Sequence, residues 1–438
     1  MKHALPELGP TNALTLPAED ETTLHNGLTV IAVRRPSVPL AEVRLRIPFA
    51  EAPLAPAALL TQTVFSGTAD LSTVDIAAEL QKVGGALGAS ADPDRLLISG
   101  NGLADGLPRL LEILADVLRG ATYPADEVGT ERDRLVDQIQ VAQSQPSHLA
   151  RVALLKRMYG SHPYAVQTPS PEDVKAVEPE TLRALHGERL HPAGATLILV
   201  GDFDPAQALA AADSALSTWD GGGKLVELPP APALVPGPVT LVDRPGAVQS
   251  SLRLALPAVP RTDPDHAALQ LANLIFGGYF SSRWVENIRE DKGYTYGPHS
   301  SIDHSIAGSA LVVSTEVATE VTAPALLETW YELGRIASVP PEEAELEQAR
   351  QYALGTLQLG MSTQAGLAGL ASTYAGYGLR LSYLAEHSAR LAAATLADVS
   401  AAAARYLAPA RGVTVVLGDA DRVAGPLGGL FGVERGAA

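Results

Sequence analysis

Several short patterns in this chain combine residue types that could carry metal or phosphate chemistry. His299, Asp303 and His304 fall within six residues and could ligate a metal ion. On the strand expected there, His299 and His304 point to opposite faces, and Asp303 sits beside a turn, so the pattern does not converge. His162 precedes Pro163 and reads as a structural corner, while His186 and His191 flank a helix end. The run from Asp220 to Lys224 has three glycines before a lysine, but it lacks the G-x-x-x-x-G-K-[ST] spacing and the strand-to-helix context of a phosphate loop. It reads as a linker. There is no G-x-S-x-G elbow, and no cysteine at all, which removes thiol nucleophiles, disulfides and thiolate metal sites.

The segment from Ala55 to Thr68 matters for what it lacks. In the pattern H-x-x-E-H, two histidines one helical turn apart bind Zn²⁺ and the glutamate between them acts as general base. The same frame here carries Ala58, Thr61 and Gln62. None of these replaces an imidazole ligand or takes a proton from metal-bound water near neutral pH. Taken by its own residues, the segment is a buried helix.

The elements that would position any site repeat along the chain. Leu28–Val33 and Glu42–Pro48 read as two neighbouring strands, and Val239–Asp243 and Ser251–Pro257 give the same pair after the midpoint. Thr196–Asp202 returns as Thr414–Asp419. Helical patterns separate these strands, over Leu71–Val83, Leu103–Arg119, Ala125–Gln143 and His148–Met158 in the first half. The second half has Pro264–Phe276, Ser282–Arg289, Thr322–Ile336, Pro341–Leu359, Ala365–Tyr377 and Leu396–Leu407. Pro341 fits a first helical turn, and Gly293 fits a stop after the Ser282 helix. The expected fold is α+β, with two homologous domains at 1–219 and 239–438, each an antiparallel-rich mixed sheet covered by helices. A Gly/Pro-rich linker over 220–238 joins them.

Bulk composition narrows the function. The 438 residues exceed a single core. With 46% hydrophobic and 18% charged residues the chain is an ordinary globular one. Its net charge of −17, without a long basic run, argues against nucleic acid and anionic membranes as partners. Met1–Pro10 has no apolar core of a secretory signal, and no stretch reaches transmembrane length, so a cytoplasmic location is expected.

The order and spacing of five features resemble the pitrilysin/insulinase/mitochondrial-processing-peptidase family over nearly the whole chain. These are the emptied helix ending at Val64–Thr68, the Gly84-Gly85 turn, the segment Glu131–Ile139, the Ser161–Tyr164 corner and the segment Ser281–Gly297. The resemblance implies half of a clamshell chamber built from repeated α+β domains. It also implies a third zinc ligand on a later helix, which at the family's spacing from Gln62 falls on Gln138. All four active positions, Ala58, Thr61, Gln62 and Gln138, are thus replaced, and the chain itself is expected to bind no zinc or other cofactor.

In the last of those segments, Trp284 and Ile288 mark the buried side of a short helix that breaks at Gly293 and turns into a strand over Tyr294–Ile302. It resembles the family segment in which an arginine and, seven positions later, a tyrosine reach into a zinc site from the opposite domain. Arg289 and Tyr296 have that spacing, and Tyr294 sits at the wrong count. By the residues alone, Arg289 is a solvated helix side chain and Tyr296 a strand aromatic. By the resemblance, they position the peptide and stabilise the oxyanion. The implied partner is a homologous chain with H-x-x-E-H and zinc, binding the peptide as an added strand. Leu87–Ser90 stands where active members show Leu-Asn-Ala, so this chain's own edge strand is expected to have lost substrate-binding duty. The alternatives are a non-catalytic scaffold, or a homodimer that binds peptides without cutting them.

Overall fold

A computed structural model describes residues 14–221, 223 and 225–436. Met1–Pro10 and positions 222 and 224 of the linker therefore lie outside the described residues. The first sheet contains β1 (Glu19–Thr23), β2 (Thr29–Arg34), β3 (Leu40–Pro48), β4 (Ala86–Ala91), β5 (Arg95–Leu103) and β6 (Thr196–Gly201), in the order β1-β2-β6-β3-β5-β4. The second contains β7 (Val239–Asp243), β8 (Gln249–Pro257), β9 (His299–Ser305), β10 (Gly308–Ala318), β11 (Val413–Gly418) and β12 (Val433–Gly436), in the order β12-β7-β11-β8-β10-β9.

The same rule builds both sheets. The last long strand of each half returns to the middle, with β6 parallel to β2 and antiparallel to β3, and β11 likewise between β7 and β8. The first two strand patterns of each half are thus not adjacent in space but flank a third. Leu197–Val200 of β6 is buried without alternation because helices cover both faces.

Helices α1 (Leu54–Thr63), α2 (Thr73–Lys82), α3 (Leu107–Gly120), α4 (Ala125–Ser144), α5 (Pro146–Tyr159), α6 (Pro171–Lys175), α7 (Pro179–Arg189) and α8 (Pro205–Leu216) belong to the first half. The second half contributes α9 (His266–Asn273), α10 (Arg283–Val285), α11 (Thr322–Ser338), α12 (Glu343–Gly360), α13 (Gln364–Ala375), α14 (Ser382–Ala393), α15 (Leu396–Tyr406) and α16 (Ala420–Gly428). Each helix expected from the sequence overlaps an observed one, most of them overrunning its ends by one to four residues. The short α6, the polar α7, the alanine-rich α8, α14 and α16 were not anticipated. Pro341 lies two residues outside α12, whose true N-cap is Glu342 in a capping box with Glu345.

One face of each sheet packs on helices of its own half, and the other on helices of the opposite half. Ile31, Val33, Ile198 and Val200 meet Leu367, Ala368 and Ala371 of α13 and Leu384 of α14. Reciprocally, Ala153, Leu154 and Met158 of α5 meet Val242, Ala255, Val415 and Leu417 of the second sheet. The halves are tied by this exchange of helices. Tyr164 adds a polar tie, its hydroxyl donating to Asp94 at 2.5 Å and accepting from the Ala307 amide at 3.0 Å. No helix among the described residues is long and apolar enough to cross a membrane.

Candidate functional site

The emptied helix is α1. Ala58, Thr61 and Gln62 share one face, as their spacing requires, and line a cleft of about 590 Å³ together with Phe49, Ala89 of the edge strand β4 and Leu135 of α4. Thr61 donates its hydroxyl to the Ala58 carbonyl at 2.8 Å, and the Gln62 amide lies 3.4 Å from the Thr61 hydroxyl. The polar groups here are spent on their own helix. Gln138 is exposed on α4 and lies outside the lining, whereas Leu135, one turn earlier, reaches the cleft. His162 also lines it, but Nδ1 accepts from the Tyr164 amide and Nε2 faces the Pro229 carbonyl at 2.9 Å, as befits a structural corner. A methyl group, a hydroxyl, a carboxamide and a leucine do not fit Zn²⁺, which takes thiolate, imidazole or carboxylate. Among the described residues, no group of three or more His, Asp or Glu is placed to hold a metal ion.

The segment from Ser281 to Gly297 positions a second set of residues. Trp284 and Ile288 are fully buried, with the Trp284 indole stacked on Phe276 at 5.4 Å and donating to Thr329 Oγ1 at 3.1 Å. Arg283 forms a two-pronged pair with Glu345 of α12, both contacts at 2.5 Å. After α10 the chain widens into a π-type turn over Glu286–Asp291. These anchors turn Arg289 outward. Its guanidinium carbon lies 4.8 Å from the centre of the Tyr296 ring and 4.4 Å from that of Phe280. The cation therefore lies over both aromatic rings, with Nε 3.2 Å from Glu290.

Tyr296 does not lie on a strand as expected. Residues 293–298 form a loop, and β9 begins only at His299. Gly293 takes a left-handed φ of 61°, and Gly297 followed by Pro298 offers no regular ladder donor before His299. The loop leaves Tyr296 85% exposed beside a cleft of about 650 Å³. Tyr294 instead packs against the core, and its amide donates to the Ile288 carbonyl at 2.8 Å. Arg289 and Tyr296 are thus brought together in an accessible place. Phe280, 59% exposed, is the partner that sequence reasoning missed. Its signal was an aromatic left uncovered between the Gly277-Gly278 pair and the helix.

The histidine pattern at 299–304 also resolves differently from a two-histidine metal site. His299 is exposed, and His304 approaches a histidine of α9, His266, with the two Nε2 atoms 3.2 Å apart.

Comparison with known proteins agrees with this architecture. Residues 56–172 match the family described as insulinase (peptidase family M16), and residues 176–352 match the peptidase M16 inactive domain. An uncharacterized zinc protease of Mycobacterium tuberculosis is 28% identical over 431 residues, covering 94% of this chain and 96% of its own. A probable inactive metalloprotease of Bacillus subtilis is 27% identical over 215 residues, covering 48% of this chain and 50% of its own. The crystal structure of a peptidase M16 inactive domain from Pseudomonas fluorescens superposes with a TM-score of 0.85 at 25% identity, over 92% of this chain and 98% of that one. Matched in sequence across both halves and in fold over nearly its full described length, the chain is a member of the insulinase (peptidase M16) family.

Proposed function

We propose that the chain is the non-zinc subunit of a heterodimeric zinc endopeptidase acting on short, unfolded peptides, and that it supplies Arg289 and Tyr296 to the active site of a homologous chain bearing H-x-x-E-H. The observation that carries this reading is an asymmetry. Positions 58, 61 and 62 of α1 and the facing Leu135 of α4 carry no side chain that binds zinc, yet the Arg289–Tyr296 pair is assembled beside an open cleft. The inactive-type family match and the inactive relative in Bacillus support it.

The chemistry follows from the stacking. Contacts with the Phe280 and Tyr296 rings and the Nε pairing with Glu290 set the guanidinium's orientation before substrate arrives, leaving its two terminal nitrogens as the donors for substrate. As a peptide carbonyl is attacked, negative charge develops on its oxygen. Arg289 and the Tyr296 hydroxyl donate to that oxygen or to the adjacent backbone. Loss of one such donor costs roughly 3 kcal/mol, or about a hundredfold in rate. The zinc, its ligands and the general base belong to the partner. A cytoplasmic location is part of the same proposal.

The test is affinity purification of the tagged chain from its source cells, with mass spectrometry and metal analysis of what it retains. A stoichiometric homologue of similar size carrying H-x-x-E-H and zinc is the expected result. Recovery of the chain alone, metal-free and inert toward peptides, would overturn the reading and leave a scaffold or a peptide-binding homodimer.

A further inference from the structure

The duplication that built the two sheets also built a second cleft. In the first half the α1 cleft is lined by Ala58, Thr61 and Gln62, by the edge strand β4 and by α4. In the second half α9 follows β8 as α1 follows β3, and Gln270, Asn273 and Leu274 repeat the i, i+3, i+4 spacing. Together with the edge strand β9 and α12 they line a cleft of about 500 Å³.

Its chemistry differs sharply from that of the rest of the molecule. The chain carries a net charge of −17, yet none of the described residues lining this cleft is acidic. Four of the chain's ten histidines do line it: His266, His299, His304 and His387. Arg261 joins them. Its guanidinium lies 5.7 Å from the rings of Tyr374 and Tyr377, it has no carboxylate partner among the described residues, and its buried Nε has no hydrogen-bond partner. His387 is 4% exposed, and its Nδ1 is likewise buried and unpartnered. A cation with no carboxylate partner and an unpartnered imidazole nitrogen in an acid-free cleft lack the same thing, an anionic acceptor.

We propose that this second cleft binds a small oxyanion, a carboxylate or phosphoryl group, through Arg261 and His387. The hydrogen bonding makes binding proton-linked. His387 Nε2 is 2.7 Å from Gln270 Oε1 and donates to it, which leaves Nδ1 of the neutral ring as a lone pair. Only after taking up a proton does Nδ1 donate to an anion. In the empty cleft that proton is disfavoured. Burial holds the His387 pKa down to about 4, aided by Arg261 and by Arg390 of α14. The other titratable groups facing it are His266 of α9, His304 of β9, Tyr383 of α14 and Tyr374 of α13. Glu386, the nearest carboxylate on α14, pairs with Arg390. An anion in the cleft supplies the missing negative charge and raises the His387 pKa, so each anion bound brings about one proton.

The test is calorimetric titration of the full chain with sulfate, with N-acetyl-trialanine and with the C-terminal amide of that peptide, at pH 7.5 and 6.0. One-site binding of sulfate or of the free-acid peptide is expected, tightening about tenfold per pH unit lowered and weakening at least tenfold in Arg261→Gln. Binding of sulfate alone assigns a phosphoryl ligand. Binding of the free acid but not its amide assigns a peptide carboxylate. The proposal fails if neither probe binds, or if binding is unchanged in Arg261→Gln. Should that variant not fold by circular dichroism, His387→Gln decides: loss of the pH dependence supports the proposal, and an unaltered dependence overturns it.

Discussion

Acidification from pH 7.5 to 5.0 should destabilise this protein well before its carboxylates titrate. His266 touches both His304 and His387: the His266 and His304 Nε2 atoms are 3.2 Å apart, and the His266 and His387 ring centres 4.8 Å. Burial lowers the pKa of all three from the ordinary 6.5, to about 2, 3 and 4 respectively, with Arg261 adding to each shift. The folded state therefore holds them neutral, while the unfolded chain protonates them below pH 6.5. A lowered histidine pKa contributes stability that is complete above 6.5 and declines as pH falls toward the folded value. At pH 5.0 each imidazole forgoes about 1.5 units, or roughly 2 kcal/mol, giving an upper bound of about 6 kcal/mol for the three. That is comparable to the whole stability of many domains. Urea unfolding followed by circular dichroism at pH 7.5, 6.0 and 5.0, in a buffer free of oxyanions, measures it. His387→Gln should flatten the pH dependence by about one third. Equal stability at pH 7.5 and 5.0, or an unchanged slope in His387→Gln, would refute the reasoning.

Three further outcomes follow from the geometry. Phe280→Ala should expose the Arg289 guanidinium and speed its modification by an arginine-selective dicarbonyl several-fold, as read by mass spectrometry, while Phe280→Tyr leaves the rate unchanged; equal rates in all three proteins would contradict a shielding contact between Phe280 and Arg289. Leu367→Ala, at a fully buried contact of α13 with the first sheet, should cost about 2–5 kcal/mol in urea unfolding, and a loss below about 1 kcal/mol would deny the helix exchange its stabilising role. Zinc binding should be restored more strongly by Ala58→His, Thr61→Glu and Gln62→His combined with Leu135→Glu than with Gln138→Glu, because Leu135 reaches the cleft. Equilibrium dialysis with zinc would show the reverse order if α4 were turned differently.

The duplication was legible because strands leave an alternating or continuous apolar signature, and both copies of the returning strand ended in Gly-Asp. Helix α1 could be placed, but only as a frame emptied of ligands. What the sequence did not show were relations between distant segments. Nothing local in Ala150–Met158 or Leu367–Ala371 says that each packs on the sheet of the other half, since an amphipathic stripe does not name its acceptor. Gln138 was placed by counting, and the geometry shows that Leu135 is the residue facing the cleft. The strand expected from Tyr294 begins only at His299, because Gly293, Gly297 and Pro298 outweigh the strand preference of Tyr294, Thr295 and Tyr296 and free the loop that stacks on Arg289. Phe280, His266 and His387 went unremarked, because each gains meaning only from a neighbour far away in the chain.

The central claim is that Arg289 acts on substrate held by another chain. Its most direct test is steady-state cleavage of a quenched fluorescent peptide by the complex of this chain with its zinc-bearing homologue, comparing wild type with Arg289→Ala at matched complex concentration. Intact assembly and zinc content are expected, with kcat/KM lower by about a hundredfold. An assembled, zinc-loaded complex that cleaves the peptide at the wild-type rate would contradict it.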